Sequence, residues 1–113
     1  MAHCVLLVTC PNPEVGERIA RALVEKRLAA CGNVTTPVTS VYWWKGKVQT
    51  DSEALLFLKT RRTLVATCVR QIRALHPNEL PEIIALPVVG GLKDYLNWVD
   101  SETRPRTRGP RGA

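Results

Sequence analysis

The chain alternates short apolar runs with longer segments in which apolar residues recur every three or four positions. The first run, residues 4–9, is continuous and rich in Val and Leu, which is typical of a strand in the middle of a sheet. A turn at 11–13 then opens a helix, because Asn12 can cap its first amides and Pro13 suits the first helical position. The start of the chain is therefore predicted to form a strand followed by a helix.

The rest of the pattern predicts three further strands and two further helices. β-Branched and aromatic residues over 34–44 and a turn at 45–47 indicate a hairpin, and an apolar run follows at 54–58. A second helical stripe, a strand and a short amphipathic helix are predicted at 64–75, 82–86 and 92–99. The order predicts an α+β, ferredoxin-like sandwich (β-α-β-β-α-β plus a C-terminal helix), with both main helices on one face of an antiparallel sheet. Because the strands are apolar on both faces, we expect the chain to self-associate.

Length and charge define one domain and a tail. The 113 residues suit one compact domain, which we place at 1–100, whereas 101–113 is rich in arginine and contains no apolar residue that could anchor it. This tail is expected to be disordered. It carries four of the 16 basic residues (Arg104, Arg106, Arg108 and Arg111), so the folded part is nearly balanced despite a net charge of +6. A nucleic-acid partner is therefore not expected; the alternative is weak, salt-sensitive phosphate binding by the tail.

No membrane span is expected, because the best apolar stretch, 83–89, is short and is interrupted by Pro87. The N-terminus lacks the basic head of a secretory signal, which favours a cytoplasmic location. The four cysteines form no Cys-x-x-Cys pair and are not spaced with the two histidines as in a zinc finger. We expect them to be buried free thiols.

An enzyme is not indicated, since the only histidines are His3 and His76 and neither a Gly-x-Ser-x-Gly elbow nor a Walker loop is present. The segment 76–83 nevertheless gathers an imidazole, two carboxylates and two prolines between a helix end and a strand start. With a thiol or carboxylate nearby, His76 would suit a copper or zinc ion. The alternative is that His76 is simply a favourable cation at a helix C-terminus.

Aromatic residues cluster at 42–44, where alternation sends Tyr42 and Trp44 to one face of a strand and Trp43 to the other. Packing within the hairpin and at a subunit interface is one interpretation. A ligand cleft lined by Tyr42, Trp44 and Lys59 is the other, because Lys59 ends an apolar strand that would hold its stem.

Taken together, six short motifs resemble the CutA divalent-cation tolerance proteins. They occur in the family's order and cover most of the chain to about residue 100, at 28–33, 39–46, 59–60, 76–77, 80–83 and 95–98. The resemblance implies a ferredoxin-like subunit in a compact homotrimer similar to the PII signalling proteins. It also implies a trimeric protein that binds copper or a related divalent ion and takes part in the response to metal ions.

The resemblance further implies which residues form the sites. His76 is the metal-candidate histidine. The family's strand-one thiol aligns with Val8, and Cys10 lies two positions on; Cys10 and Cys31 are the candidate thiol ligands in this chain. An intersubunit cleft would be lined by Tyr42, Trp44, Lys59, His76, Glu82 and Trp98. The alternative function is that of a PII-like regulatory trimer that binds a small anionic ligand in this cleft.

Overall fold

The computed structural model describes residues 2–104, which form five strands and three α-helices. In chain order these are β1 (His3–Cys10), α1 (Pro13–Glu25), β2 (Cys31–Val34), β3 (Val38–Trp44), β4 (Lys47–Arg61), α2 (Val65–Leu75), β5 (Ile83–Val88) and α3 (Lys93–Glu102). A single 3-10 turn, Arg62–Leu64, leads into α2. As the sequence predicts, Asn12 caps α1 by accepting a hydrogen bond from the Val15 amide at 2.9 Å.

The strands form an antiparallel sheet in the order β2-β4-β1-β5, and β3 pairs with the first half of β4. Because β1 and β2 both run antiparallel to β4, the connection through α1 is a crossover between parallel strands. This arrangement confirms the α+β prediction and is consistent with a ferredoxin-like sandwich. The sheet places the C-terminal end of β1 beside the β3–β4 hairpin, which matters for the site described below.

Helices α1 and α2 cover one face of the sheet over β1 and the second half of β4, whereas Ala85 and Pro87 of β5 remain exposed on that face. Every second residue of β1, and of the second half of β4, is buried against these helices. Both main helices therefore pack on one face, as predicted. The largest side chains of this core are Leu6, Ile19, Leu23, Leu56, Leu58 and Ile72.

The other face of the sheet is covered at one end only. There α3 is joined to β1 by a 2.8 Å hydrogen bond between His3 and Asp100, and to the end of β4 by a hydrogen bond from Arg61 to the Thr103 hydroxyl at 2.9 Å. Farther along, Ile84 and Leu86 of β5 remain 45% and 44% exposed. The face thus retains apolar surface that the described part of the chain does not bury.

Two predicted boundaries differ from the structure. The single strand expected over 34–44 is divided between two strands, β2 and β3. Pairing with β4 is interrupted between Val34 and Val38, where Pro37 has no amide hydrogen to donate to a strand ladder. The folded domain also passes residue 100, since α3 continues to Glu102 and the Thr103 side chain is buried. Of the predicted tail, 105–113 lies outside the described residues. Within 2–104, no helix is both long and apolar enough to span a membrane.

Candidate functional site

A groove lies at the end of the sheet where β1 stops, between the β3–β4 hairpin and the loop that follows α2. Its volume is about 700 Å³. The lining residues come from the end of β1, both hairpin strands and the loop: Thr9, Pro11, Ser40, Val41, Tyr42, Trp43, Trp44, Asp51, Ser52, Glu53, Asn78, Glu79, Leu80 and Glu82.

The position of this loop is fixed by His76, the first residue after α2. Its Nε2 lies 2.7 Å from the Thr9 carbonyl oxygen, and its Nδ1 accepts a hydrogen bond from the Asn78 amide at 3.1 Å. The two contacts require the tautomer in which Nε2 carries the proton, so both ring nitrogens are engaged. The ring is buried, and its evident role is to tie the loop to the end of β1.

The hairpin wall of the groove is built by strand alternation. In the β3–β4 register Tyr42 lies opposite Gln49 and Ser40 lies opposite Asp51, so these side chains share one face. The Tyr42 hydroxyl donates a hydrogen bond to the Asp51 carboxylate. That hydrogen bond is the main reason why the pKa of Tyr42 lies above its ordinary value. Burial and the charges of the neighbouring carboxylates raise the pKa by smaller amounts. Tyr42 therefore remains a neutral donor that orients Asp51.

The groove is lined by acidic side chains from two parts of the chain. Asp51 and Glu53 come from β4, and Glu79 and Glu82 come from the loop, while none of the lining residues is basic. Carboxylates grouped in a concave site produce a negative potential that concentrates cations and repels anions. The arrangement is therefore suited to a positively charged ligand.

The structure does not bring the three predicted metal ligands together. Cys10 pairs with Ala54 and faces the helices, whereas Cys31 pairs with Lys59 on the opposite face of the sheet. The two positions are five residues apart along β4, or about 17 Å at 3.4 Å per residue. His76 already uses both nitrogens. Among residues 2–104, no three His, Cys, Asp or Glu side chains are grouped so that they could hold a metal ion.

The protonation state of the Cys10 thiol also disfavours metal binding. Burial, with a smaller contribution from the charge of Glu53, raises its pKa to about 11. Since the thiolate is the form that ligates metals, Cys10 would be protonated and weakly ligating near neutral pH.

The residues predicted to form a ligand cleft fall into two groups. Tyr42, Trp44 and Glu82 line the groove, but Lys59 and Trp98 do not. Lys59 lies on the face that carries α3, where its Nζ donates to the Asn33 side-chain oxygen and lies 3.7 Å from the Cys31 sulfur. The Trp98 ring packs at a tilt against that of Tyr95, also on α3, with ring centroids 5.5 Å apart. Within one described chain, the predicted cleft is therefore not continuous.

Sequence reasoning missed Asp51 and Glu53; Glu79 belongs to the predicted segment 76–83 but was not assigned to the cleft. A signal for the first two was present, because they alternate along β4 and so share a face of the strand. Which hairpin residues lie opposite them depends on the register, and that in turn depends on the two-residue turn at Lys45 and Gly46. Both turn residues have positive φ, of 51° and 79°.

Comparison with known proteins gives consistent results. Residues 4–102 match the model of the CutA1 divalent ion tolerance protein family. The chain is 52% identical over 96 residues to Protein CutA of Mus musculus, and this match covers 85% of the chain and 54% of the mouse protein. The chain thus spans about half the length of the first curated relatives it matches.

Two solved structures extend the comparison. The crystal structure of CutA1 from Oryza sativa has a TM-score of 0.89 at 45% identity and covers 92% of this chain and 95% of its own. The periplasmic divalent cation tolerance protein CutA from Archaeoglobus fulgidus has a TM-score of 0.87 at 38% identity and covers 90% and 99%. With the family model matching nearly the whole described fold, this chain belongs to the CutA1 divalent ion tolerance family.

Proposed function

We propose that this chain is a divalent-cation tolerance protein that binds copper or a related divalent metal ion and takes part in the response to metal ions. The observation that carries the proposal is the groove at the end of β1, whose charged lining residues are all carboxylates. Carboxylate oxygens are ligands for divalent cations, and their negative potential would collect such ions from solution. Membership of a family named for divalent ion tolerance agrees with this charge.

The geometry implies weak binding by a single chain. Since no three donor side chains within 2–104 converge on one point, an ion in the groove would keep part of its water shell. His76 could contribute its Nδ1 only by giving up the hydrogen bond from the Asn78 amide. A carboxylate-based site with an optional imidazole therefore fits the residues better than a thiolate site.

We further propose that the protein is a cytoplasmic, non-catalytic homotrimer. The support for self-association is the apolar surface left beside α3, including Ile84 and Leu86, together with the exposed hairpin residues Val41 and Trp43, which are 65% and 74% accessible. Burying such surface in a second copy is a common way for a small domain to complete its core. A neighbouring subunit could also supply the donors that one chain lacks.

Calorimetric titration of reduced, tag-free protein with Cu²⁺ and Zn²⁺ under anaerobic conditions tests the metal proposal. We expect saturable binding at a fixed ratio per chain, weakened about tenfold in the Glu53→Gln/Glu82→Gln variant, because each lost carboxylate removes a charged ligand. The matched control is Glu17→Gln/Glu25→Gln on the exposed face of α1, which should bind as the parent does. Identical isotherms for the parent and the groove variant would refute the proposed site.

A PII-like role in binding a small anion remains the second candidate, and the position of Lys59 favours it. This ammonium group lies on the face that carries α3, away from the acidic groove that would repel an anion. Anions that bind there should raise the melting temperature of the parent but not that of Lys59→Ala. A thermal-shift screen in which neither protein responds to any anion would remove this candidate.

A further inference from the structure

A second charged surface lies on the opposite side of the molecule from the open sheet face, on the outer side of α2. Helix α2 packs inward through Cys68 and Ile72, and its outer side carries Arg70 and Arg73 in exposed positions. Arg62, in the turn that precedes the helix, is also exposed. At 100° per residue, Arg70 and Arg73 lie about 60° apart on one face of α2, and Arg62 lies in the 3-10 turn that leads into this helix. They form a stripe, which we call the α2 arginine stripe.

The stripe has no acidic counterpart. No Asp or Glu occurs between Glu53 and Glu79 in the sequence, so neither α2 nor the turn before it contributes a carboxylate. The arginines that form ion pairs within residues 2–104 are Arg21 and Arg27, and neither belongs to the stripe. Arg70 instead donates to the hydroxyl of Thr67 at 3.2 Å, one turn earlier on the same helix. These positive charges are therefore not neutralised within the described fold.

The side chains between the arginines are small. Thr63, Ala66 and Ala74 are exposed on the same side of the helix. Small residues allow an extended partner to approach the helix backbone, while the arginines reach outward to its charges. No aromatic or large aliphatic side chain stands in the stripe, so it has nothing to insert into a lipid layer. This composition favours the phosphodiester backbone of a nucleic acid over a membrane surface.

The start of the arginine-rich C-terminal segment lies at one end of the stripe. Arg61, directly before Arg62, donates hydrogen bonds to the hydroxyl and the carbonyl oxygen of Thr103. Arg104 follows immediately, and the sequence then adds Arg106, Arg108 and Arg111. The described part of the C-terminal segment, which ends at Arg104, therefore begins close to Arg62.

We propose that the α2 arginine stripe is a surface that binds the phosphate backbone of nucleic acid without sequence preference. Arg62 and Arg73 are separated by about 17 Å along the helix at 1.5 Å per residue, a length over which duplex DNA carries about ten charges. Guanidinium groups pair with phosphate oxygens in a bidentate manner, which lysine cannot do. Because self-association would use the other face of the sheet, the stripe stays accessible in an oligomer, where several copies would act together. The proposal is independent of the metal-binding groove.

Fluorescence anisotropy with a labelled 24-base-pair duplex and a labelled single-stranded RNA, measured across salt concentrations, tests this proposal on the full chain. The Arg70→Gln/Arg73→Gln variant should bind the duplex about tenfold more weakly at low salt. The slope of log K against log salt should become shallower by about 1.8, or 0.9 for each lost phosphate contact. Unrelated duplex sequences should bind the parent equally well.

The matched control is Arg18→Gln/Arg21→Gln on α1, which removes the same charge from a face that also carries Glu14, Glu17 and Glu25. It should change affinity less than twofold and leave the slope unaltered. Equal losses in the two variants would show a general charge effect and overturn the proposal. So would the absence of binding by the parent at low salt.

Two further measurements separate the remaining outcomes. If Arg106→Gln/Arg108→Gln/Arg111→Gln abolishes binding while the α2 variant matches the control, the tail acts alone and the stripe is refuted. If vesicles containing phosphatidylserine bind the parent and neither nucleic acid does, the partner is a membrane surface instead. Metal titration of the α2 variant should match that of the parent, which keeps this result distinct from the test of the groove.

Discussion

At the scale of single residues, the local chemistry around turns and caps was the most predictable part of the molecule. The Asn12 cap and the end of α2 before His76 follow from the sequence, because each depends on neighbours within a few positions. The partner of the His76 ring, the Thr9 carbonyl 67 residues away, depends on the tertiary fold and could not be read from the chain. This is why a candidate metal ligand proved to hold a loop in place.

The four cysteines should differ sharply in reactivity. Cys31 is the only one of them that is partly accessible, while burial raises the pKa of both Cys10 and Cys68 to about 11. Because the thiolate is the reacting form, the two buried thiols should react far more slowly in the native protein. We expect a thiol reagent at pH 7.5 to modify one equivalent quickly, and peptide mapping to assign it to Cys31. A fast phase that persists in Cys31→Ser would contradict this prediction.

The same two buried thiols predict a loss of stability at alkaline pH. Their pKa rises from the ordinary 9.0 to about 11 in the folded chain, so below pH 9 both states hold the proton and the thiols have no effect. Above pH 9 the unfolded state releases its protons first. The free energy of unfolding should therefore fall between pH 9 and 11, by at most about 1.4 kcal/mol per pH unit for each thiol.

Urea titrations across this pH range check the prediction. The Cys10→Ala/Cys68→Ala variant, although less stable throughout, should show a flatter pH dependence than the parent. Parallel curves for the two proteins would mean that other groups cause the alkaline loss.

At the scale of elements, the helices and the central strands follow directly from their apolar periodicity. The sequence could not show that β4 is one strand of 15 residues pairing with β1, β2 and β3. Its first half is polar on the surface and its second half is buried, so the two halves look like separate elements in the sequence. The acidic wall of the groove lies on that first half, which explains why the candidate site was only partly predicted.

Close packing between β2 and α1 predicts a specific sensitivity at Gly32. A Cβ atom added there would lie 2.9 Å from the Ala20 Cβ and 3.0 Å from a Leu58 methyl carbon. The Ala20 Cβ is attached directly to the helix backbone and cannot move without shifting α1. Gly32→Ala should therefore lower the free energy of unfolding by about 1–3 kcal/mol.

The control is Gly90→Ala, where an added Cβ meets nothing within 4 Å. Its stability in urea should stay within about 0.5 kcal/mol of the parent. Equal effects at the two glycines would show that contact with α1 is not what limits residue 32.

At the scale of the whole molecule, the two faces of the sheet differ in how far helices cover them. Helices α1 and α2 cover one face over β1 and the second half of β4, while α3 covers only one end of the other face and leaves Ile84 and Leu86 accessible. The apolar pattern on both faces of the strands predicts such an imbalance. The exposed apolar side chains of the open face are the support for the proposed self-association.

We expect this surface to be buried in a homotrimer. Light scattering at micromolar concentration should give about three times the 12.6 kDa chain mass. Ile84→Glu/Leu86→Glu, which places charge on the open face, should lower the mass toward that of one chain. A parent protein that runs as a monomer would contradict this part of the account.

The central claim is that divalent cations bind in the acidic groove, and its most direct test uses paramagnetic broadening by Cu²⁺ of the indole NMR signals. Of the three tryptophans, Trp43 and Trp44 line the groove and Trp98 lies on α3 outside it, so Trp44 serves as the probe inside the groove and Trp98 as the probe outside it. Substoichiometric Cu²⁺ should broaden the Trp44 signal first and leave that of Trp98 sharp, with assignments made from Trp→Phe variants. Equal broadening of both signals, or earlier broadening of Trp98, would contradict the account.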